Sequence, residues 1–484
     1  MKYIDYSILQ RLLVHRGKMD FPALVYRELG LVYSSLSSVE QAHALEQIHS
    51  NGSLLEEIKE KEMQAIFEIE TDMISILARM EEIGVRVDAK KLTSIGKEIV
   101  QKMTHIEAEI FSNVGEVFNL NSPKQIQYIL FEKLGIKPLK KNKTGYSVDT
   151  EVLEEIAKSH DIARSILEYR LLAKLNSTYI IGLSKAIQKE TSTIHTTYES
   201  LGTSTGRLSS NDPNLQNIPT GDGYAEEIKS CFIPRKGNIL MVADYSQIEL
   251  RILALLSQDP HLLEAFENGE DIHERTARFL FPNEKTISQD QRRIAKMVNF
   301  GVIYGITGFG LAKTLGCSPW EAGRYVDAFY EKYSRVGEYY DDLVKKGEED
   351  SYVSTLFGRR RYISSLTDAN KTLRAAARRE AINMPVQGTA ADILKFAMRE
   401  IAKEIKQQNL KGSMILQVHD ELVFDIPKNE QETFQEIVRD IMEHIFDTVK
   451  DKIQTQNLFL KGEKPQFPPI LVDIGVGENW AKAK

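Results

Sequence analysis

Cysteine is scarce in this chain: Cys231 and Cys317 are the only two among 484 residues. Neither stands in a metal-type spacing, which leaves free thiols in a reducing compartment as the simple inference. No run of about 18 apolar residues occurs, so no membrane-spanning helix is expected. The start, Met1-Lys-Tyr-Ile-Asp5, lacks the apolar core of a signal peptide. Internal repeats and low-complexity stretches are also missing. Nor is there an excess of positive charge, since the formal net charge is -7. That argues weakly against a nucleic-acid binder, although a local basic face can hold phosphate on an acidic protein.

What remains is an ordinary globular composition, 42% hydrophobic and 27% charged. The length exceeds what one core can organise, so two to four subdomains are expected. Residues 1 to about 70 read as short helices. From Thr71 to Val85, Ile74, Leu77, Met80 and Ile83 recur at helical spacing, and Gly84 reads as a stop. Residues 88 to 185 read as mainly helical. Within them Ser122 and Pro123 form a helix start. Lys137 to Gly145 is a basic loop, either a solvated turn or a phosphate contact. Strand-like pieces at Ile194–Tyr198 and Ile239–Ala243 flank a Gly/Ser/Asn/Pro-rich stretch, Gly202–Gly223. Helical pattern returns from 256 to 381. From Ala381 the chain reads as strands again, with Met414–Val418 and Glu421–Ile426 as a hairpin carrying His419 and Asp420 at its tip.

Two acids stand out. Asp244 follows Asn238-Ile-Leu-Met-Val-Ala243, and Asp420 follows a second apolar run from Ser413 to Gln417. An acid ending an apolar strand is costly unless a cation neutralises it. Two of them together make a site for two hard divalent cations. Between them in sequence, Arg292, Lys296, Phe300 and Tyr304 are spaced by four, along one helix face. Spacing alone leaves open a solvated Arg/Lys face with buried rings. The other reading is a nucleoside triphosphate lying along the helix, its phosphates on Arg292 and Lys296 and its sugar and base near Phe300 and Tyr304. Gly301 and Gly305 weaken the helix there.

These runs resemble a known family. Asp244-Tyr-Ser-Gln-Ile-Glu-Leu-Arg251, Arg292-Arg-Ile-Ala-Lys-Met-Val-Asn-Phe-Gly-Val-Ile-Tyr-Gly305 and Val418-His-Asp-Glu421 resemble motifs A, B and C of family A DNA polymerases, the polymerase I type. The likeness continues through Thr205-Gly-Arg-Leu-Ser-Ser-Asn-Asp-Pro-Asn-Leu-Gln-Asn-Ile-Pro219 and Asn383-Met-Pro-Val-Gln-Gly-Thr-Ala-Ala-Asp392. It also covers Phe118-Asn-Leu-Asn-Ser-Pro-Lys-Gln125 and Gly475-Val-Gly-Glu-Asn-Trp480, and spans about residue 70 to the C-terminus.

The resemblance implies an α+β, multi-subdomain, right-hand fold with an antiparallel-sheet palm, helical fingers and a helical thumb. The thumb is expected at 71–190, the palm at 191–255 and 382–484, and the fingers at 256–381. The implied activity is template-directed addition of deoxynucleoside triphosphates to a primer 3'-hydroxyl, with release of pyrophosphate, in DNA replication or repair. Asp244 and Asp420, with Tyr245, would bind two Mg2+ ions, Mn2+ substituting. Glu421 would support them without being required as a ligand, because adjacent strand residues point opposite ways. Lys296 would steady the triphosphate and protonate the leaving group, and Arg292 would grip the same phosphates. Phe300, Tyr304, His273 and Gln247 join the nucleotide site. Glu249, held by Tyr304, would fill the space a ribose 2'-hydroxyl needs. Arg207, Asn217, Arg379, Asn383, Gln387 and His419 match positions touching primer, template or the minor groove. Lys140, Lys141 and Lys143 fit a thumb-tip phosphate contact.

Partners implied are primer-template DNA and deoxynucleotides, with no membrane and a monomeric state; localisation is cytoplasmic and nucleoid-associated for a bacterial or phage source. Residues 1–70 hold no Asp-x-Glu pair, and Tyr33-Ser-Ser-Leu-Ser37 places Ser37 where an exonuclease acid is needed. The segment therefore reads as a remnant of an exonuclease-like domain, without proofreading. Two other readings compete: a single-subunit RNA polymerase, which Glu249 opposes, and a catalytically dead DNA-binding scaffold, which the presence of Asp244, Asp420 and Lys296 opposes.

Overall fold

The computed structural model describes residues 53–142 and 145–484, together with Leu12. Most of the N-terminal segment, with Tyr33–Ser37, and Lys143 of the basic loop lie outside the described residues. The chain divides into two compact units. The first takes residues up to Glu82, Tyr198–Ser210 and Val242–Ile474; the second takes Ile83–Thr197, Asn211–Met241 and Gly475–Lys484. Among the described residues no helix is long and apolar enough to cross a membrane.

Helix α1 (Gln64–Ile83) begins seven residues before the apolar spacing suggests. Its buried stripe is Ile66, Ile69, Glu70, Met73, Leu77 and Met80. Ile74, expected on that stripe, is 44% exposed. Met73 holds the inward position, and the buried carboxylate of Glu70 disguises the stripe in sequence. Gly84 ends the helix as expected, with φ +63°.

The second unit is mainly helical. Its α2 (Ala89–Val114) is capped by Asp88, whose side chain accepts from the Lys90 and Lys91 amides. Helix α3 (Asp161–Lys174) packs on α2 through Ala163, Ile166, Tyr169 and Leu172. Ser122 caps the short Pro123–Gln127 helix, as the sequence suggests. The basic loop folds into a small antiparallel pair, Lys141–Asn142 against Gly145–Tyr146. Trp480 is buried there, its ring 5.4 Å from that of Phe232 in an edge contact.

Four strands form the largest sheet among the described residues: β1 (Asn238–Tyr245), β2 (Ser413–Val418), β3 (Glu421–Pro427) and β4 (Val472–Gly477), in spatial order β2-β3-β1-β4. In β1, Leu240 to Ala243 are all buried, and in β3 so are Glu421 to Ile426. Continuous burial, in place of alternation, means that both faces of these strands are covered. The helices that matter here are α4 (Ile248–Ser257), α5 (Ile272–Leu280), α6 (Gln289–Ile303), α7 (Ser334–Asp350) and α8 (Lys371–Gln407). Every residue of α4 is buried, and it packs on α7 and α8. The architecture is α+β.

One expectation fails. The chain does not return to strands at Ala381, because α8 runs unbroken for 37 residues with Pro385 inside it. Proline removes one helical hydrogen bond and disfavours a helix interior. Burial of almost all of Ala381–Arg399 on surrounding elements outweighs that local preference. The strand signal is confined to Ser413 onwards.

Candidate active site

Asp244 and Asp420 come from separate elements that the sheet places side by side. The Tyr245 amide, next to Asp244 at the end of β1, donates to the Asp420 carbonyl at 3.3 Å. Val418 pairs with Glu421, so His419 and Asp420 form a two-residue turn, as the sequence suggests. His419 takes φ +53°, and its carbonyl accepts from Gln417 Nε2 at 2.6 Å. Asp420 keeps 30% of its side chain open, whereas Glu421 is 4% exposed. The two neighbouring acids thus differ in access. Tyr245 is buried and its hydroxyl donates to the Met442 carbonyl at 3.3 Å. Burial, helped by Asp420, pushes that phenol well above its ordinary pKa. Any metal contact from Tyr245 must therefore use its main-chain oxygen.

Among the described residues no group of three or more His, Cys, Asp or Glu stands close enough to cage a metal ion. Two carboxylates and a carbonyl fit a small hard cation that takes its remaining oxygens from substrate phosphates and water. They do not fit a self-sufficient structural metal centre.

A polar chain leads away from Asp420. Arg207 Nη2 lies 3.8 Å from Asp420 Oδ1 and donates to Glu249 Oε1. The other oxygen of Glu249 accepts from the Tyr304 hydroxyl at 2.9 Å. Glu249 sits on α4 and is 5% exposed. Burial lifts its carboxyl above the ordinary range, Arg207 pulls it back, and Asp420 pushes it up again. The Tyr304 hydroxyl, also hydrogen-bonded to Gln387, is pushed up to about 12, chiefly by burial and by Glu249. The sharp turn from β1 into α4 is made at Gln247, a non-glycine residue in the left-handed region with φ 53°.

Helix α6 is started by a capping box: Ser288 Oγ accepts from the Gln291 amide and Gln291 Oε1 from the Ser288 amide. Ala295, Val298, Asn299 and Val302 are buried. Lys296 is exposed, Arg292 and Phe300 are half-buried, and Tyr304, the residue just past the helix, is 39% exposed. The rings are therefore not core residues, and the face is an open one with two cations followed by two aromatics. His273, on α5, is 3% exposed, with its ring 5.7 Å from that of Phe300. Asn299 takes a hydrogen bond from Thr276 on its oxygen and turns its amide nitrogen to His273 Nδ1 at 2.9 Å. That leaves the imidazole proton on Nε2.

Arg379, Asn383 and Gln387 follow one another at intervals of four on α8. Arg379 is exposed, and between Ala381 and Arg399 only Asn383 and Gln387 escape full burial. Arg379 stands at the exposed N-terminal part of α8, and Asn383 and Gln387 continue its face as polar positions in the buried middle of the helix. Asn217, Lys140 and Lys141 belong to the second unit. There the Asn217 carbonyl accepts from the Tyr179 hydroxyl, and Lys140 pairs with Asp149 at 3.0 Å.

A family model described as DNA polymerase family A matches residues 89–482. The chain belongs to DNA polymerase family A. It is 45% identical over 434 residues to DNA polymerase I of Bacillus subtilis (strain 168), covering 89% of this chain and 47% of that one. It is 43% identical over 417 residues to DNA polymerase I of Caldicellulosiruptor bescii, covering 86% and 47%. The chain spans about half the length of these curated relatives. Among solved structures, the POL domain of Pol1 from M. smegmatis, in complex with DNA primer-template and dNTP, superimposes with TM-score 0.88 at 33% identity, covering 99% of this chain and 82% of that one.

Three groups of this family A chain escaped the sequence reading. Asp271 caps α5 through Oδ1, accepting from the His273 and Glu274 amides. Its other oxygen, Oδ2, takes Arg292 Nε at 2.8 Å and Nη2 at 2.7 Å. The Asp-x-x-Glu spacing from Asp271 to Glu274 signals the cap but not the arginine. Asn299 had no local signal at all. The third group is a buried cluster. Lys395 Nζ lies 2.6 Å from Glu70 Oε1, Arg359 pairs with Glu70 and with Asp392 at 2.7 Å to the latter, and Thr355 donates to Asp392 at 2.8 Å. Arg359 packs against Gly206, φ +81°, so closely that no Cβ fits there. The cluster thereby supports the backbone that carries Arg207.

His273 yields a pH prediction. Burial, aided by Arg292 and Lys296 and opposed by Asp271, lowers its pKa to about 4. Below pH 6.5 the unfolded chain binds a proton that the folded chain refuses, so stability is full above that value and falls towards pH 4. Replacing His273 with Gln should shrink the stability difference between pH 7 and pH 4.5 by about 2 kcal/mol. Denaturant unfolding at the two pH values measures it, and an unchanged difference refutes the assignment.

Proposed function

We propose that this chain is the polymerase part of a polymerase I type enzyme, adding deoxynucleoside triphosphates to a primer 3'-hydroxyl under template direction. The observation that carries the reading is the Asp420–Arg207–Glu249–Tyr304 chain, which joins the acid pair to the open face of α6 within a family A chain. We assign the thumb to 71–190, the palm to 191–255 and 382–484, and the fingers to 256–381.

Asp244 and Asp420 would hold Mg2+, with the Tyr245 carbonyl completing the protein's share of oxygens. When bound, the metal lowers the pKa of the attacking hydroxyl and neutralises charge on the triphosphate and pyrophosphate. Lys296, exposed on α6, is placed to meet the phosphates and to supply a proton to the leaving pyrophosphate oxygen. Arg292 holds the same phosphates with its planar fork. Phe300 packs against the sugar. Glu249, locked by Arg207 and Tyr304, occupies space beside the sugar and cannot swing aside without breaking both bonds. The strip of Arg379, Asn383 and Gln387, with His419, meets the duplex through acceptors that recur on every correct base pair, and Asn217 of the second unit is assigned separately to a DNA contact. Lys140 and Lys141 contact its phosphates, Lys140 from a site it shares with Asp149.

Primer extension on a primed template, comparing deoxy- and ribonucleotides with Mg2+, tests the reading. Template-directed extension with a clear deoxynucleotide preference is expected. A ribonucleotide preference would favour an RNA polymerase, and binding without extension would favour a scaffold. In the same assay, Glu249→Ala should raise relative ribonucleotide incorporation by about 10- to 100-fold. Unchanged discrimination removes Glu249 from the sugar site.

A further inference from the structure

Asp271 divides its two oxygens between different tasks. Oδ1 caps α5 at the turn that presents His273. Oδ2 alone receives both Nε and Nη2 of Arg292, at 2.8 and 2.7 Å. The two side chains are 34% and 37% exposed, so the pair stands at the rim of the triphosphate face and not in the core. An isolated ion pair this open contributes little to stability. Its geometry does something else. It fixes the plane of a guanidinium that otherwise has several rotatable bonds, and it leaves Nη1 for a phosphate oxygen. Because the same carboxylate anchors α5, it also fixes Arg292 relative to His273, whose ring stands beside Phe300.

We propose that Asp271 is a positioning residue for nucleotide binding: it holds Arg292 in the orientation that receives the triphosphate and registers it against His273. The inference rests on the polymerase reading for the identity of the nucleotide, but not for the binding of a triphosphate. The opposite effect is conceivable on charge alone, because an acid beside a phosphate site repels the ligand. Orientation and repulsion predict opposite signs, so one variant separates them.

Asp271→Asn is that variant. The amide oxygen keeps the cap on α5, while the charged partner of Arg292 is lost. Two measurements are made on the full chain: dNTP KM and kcat in primer extension, and equilibrium binding of inorganic tripolyphosphate to the free protein. Asp271→Asn should raise KM about tenfold and weaken tripolyphosphate binding by a similar factor, with kcat changed less than about twofold. In an Arg292→Met background, where there is no guanidinium to orient, the same change should move either quantity less than about twofold. Primer-template affinity should not move. Tighter binding in Asp271→Asn, no change, or an equal loss in the Arg292→Met background overturns the proposal. If the parent extends no primer but its tripolyphosphate affinity still depends on Asp271 through Arg292, the polymerase reading fails and the positioning role stands.

Discussion

Replacing Asp420 with Ala should lower primer extension by on the order of 10³-fold or more while primer-template binding persists. The size follows from the site's economy. With no third His, Cys, Asp or Glu to close a metal cage among the described residues, loss of one of the two carboxylates proposed to hold the metal would leave a single acid for it. Removing one also leaves Arg207 with one acid fewer to face. The retained binding follows from location. Asp420 lies in a two-residue turn and keeps 30% of its side chain open, so truncation opens no cavity in the sheet. Rapid-quench incorporation, with DNA affinity measured alongside, gives the answer. An Asp420→Ala protein that extends within tenfold of the parent would remove Asp420 from the metal site.

The second large effect is on stability. Glu70→Gln should cost about 3 kcal/mol or more, because it leaves Arg359 and Lys395 buried with one carboxylate where they had two. Burial works against the Glu70 charge, but Lys395 and Arg359 outweigh it and hold its carboxyl below the ordinary range. The sign for pH follows: this stabilisation is complete above the ordinary carboxylate pKa and is lost as pH falls through the lower folded value. Urea unfolding of parent and variant at pH 7 measures the cost, and a difference under about 0.5 kcal/mol would show the cluster to be energetically idle. Arg207 feels the loss too, since Arg359 backs Gly206. A fall in extension rate should accompany the fall in stability.

The acids, the α6 face and the hairpin tip were legible because each is a local pattern: an apolar run ending in Asp, a spacing of four, two strands and a short turn. Glu249 and Tyr304 could be paired only through the family resemblance, being 55 residues apart. Arg292 reads as a phosphate ligand in sequence, yet its partner Asp271 lies 21 residues earlier on another helix. The helix from Ala381 onward does not show in the sequence, where Pro385 argues locally against it and the burial that overrides Pro385 comes from elements far away in sequence. Ile74 was assigned to the wrong side of α1 because Glu70, the residue that marks the buried face, is an acid. Charge in a core is the least readable feature of a sequence: its acceptability depends entirely on partners that only the folded chain assembles.

Those partners also set a clock. Glu70 and Lys395 are 325 residues apart in the chain. At a synthesis rate of about 5–20 residues per second, Glu70 is added to the chain roughly 15–65 s before Lys395. Arg359, the other cation on Glu70, also comes late in the chain, 289 residues after it, and until both cations exist α1 carries an acid on its apolar stripe whose charge is not fully matched. Helix α1, early in the sequence of the first unit, is thus among the last to be locked. A nascent chain halted before Lys395 leaves that stripe open to whatever else will cover it.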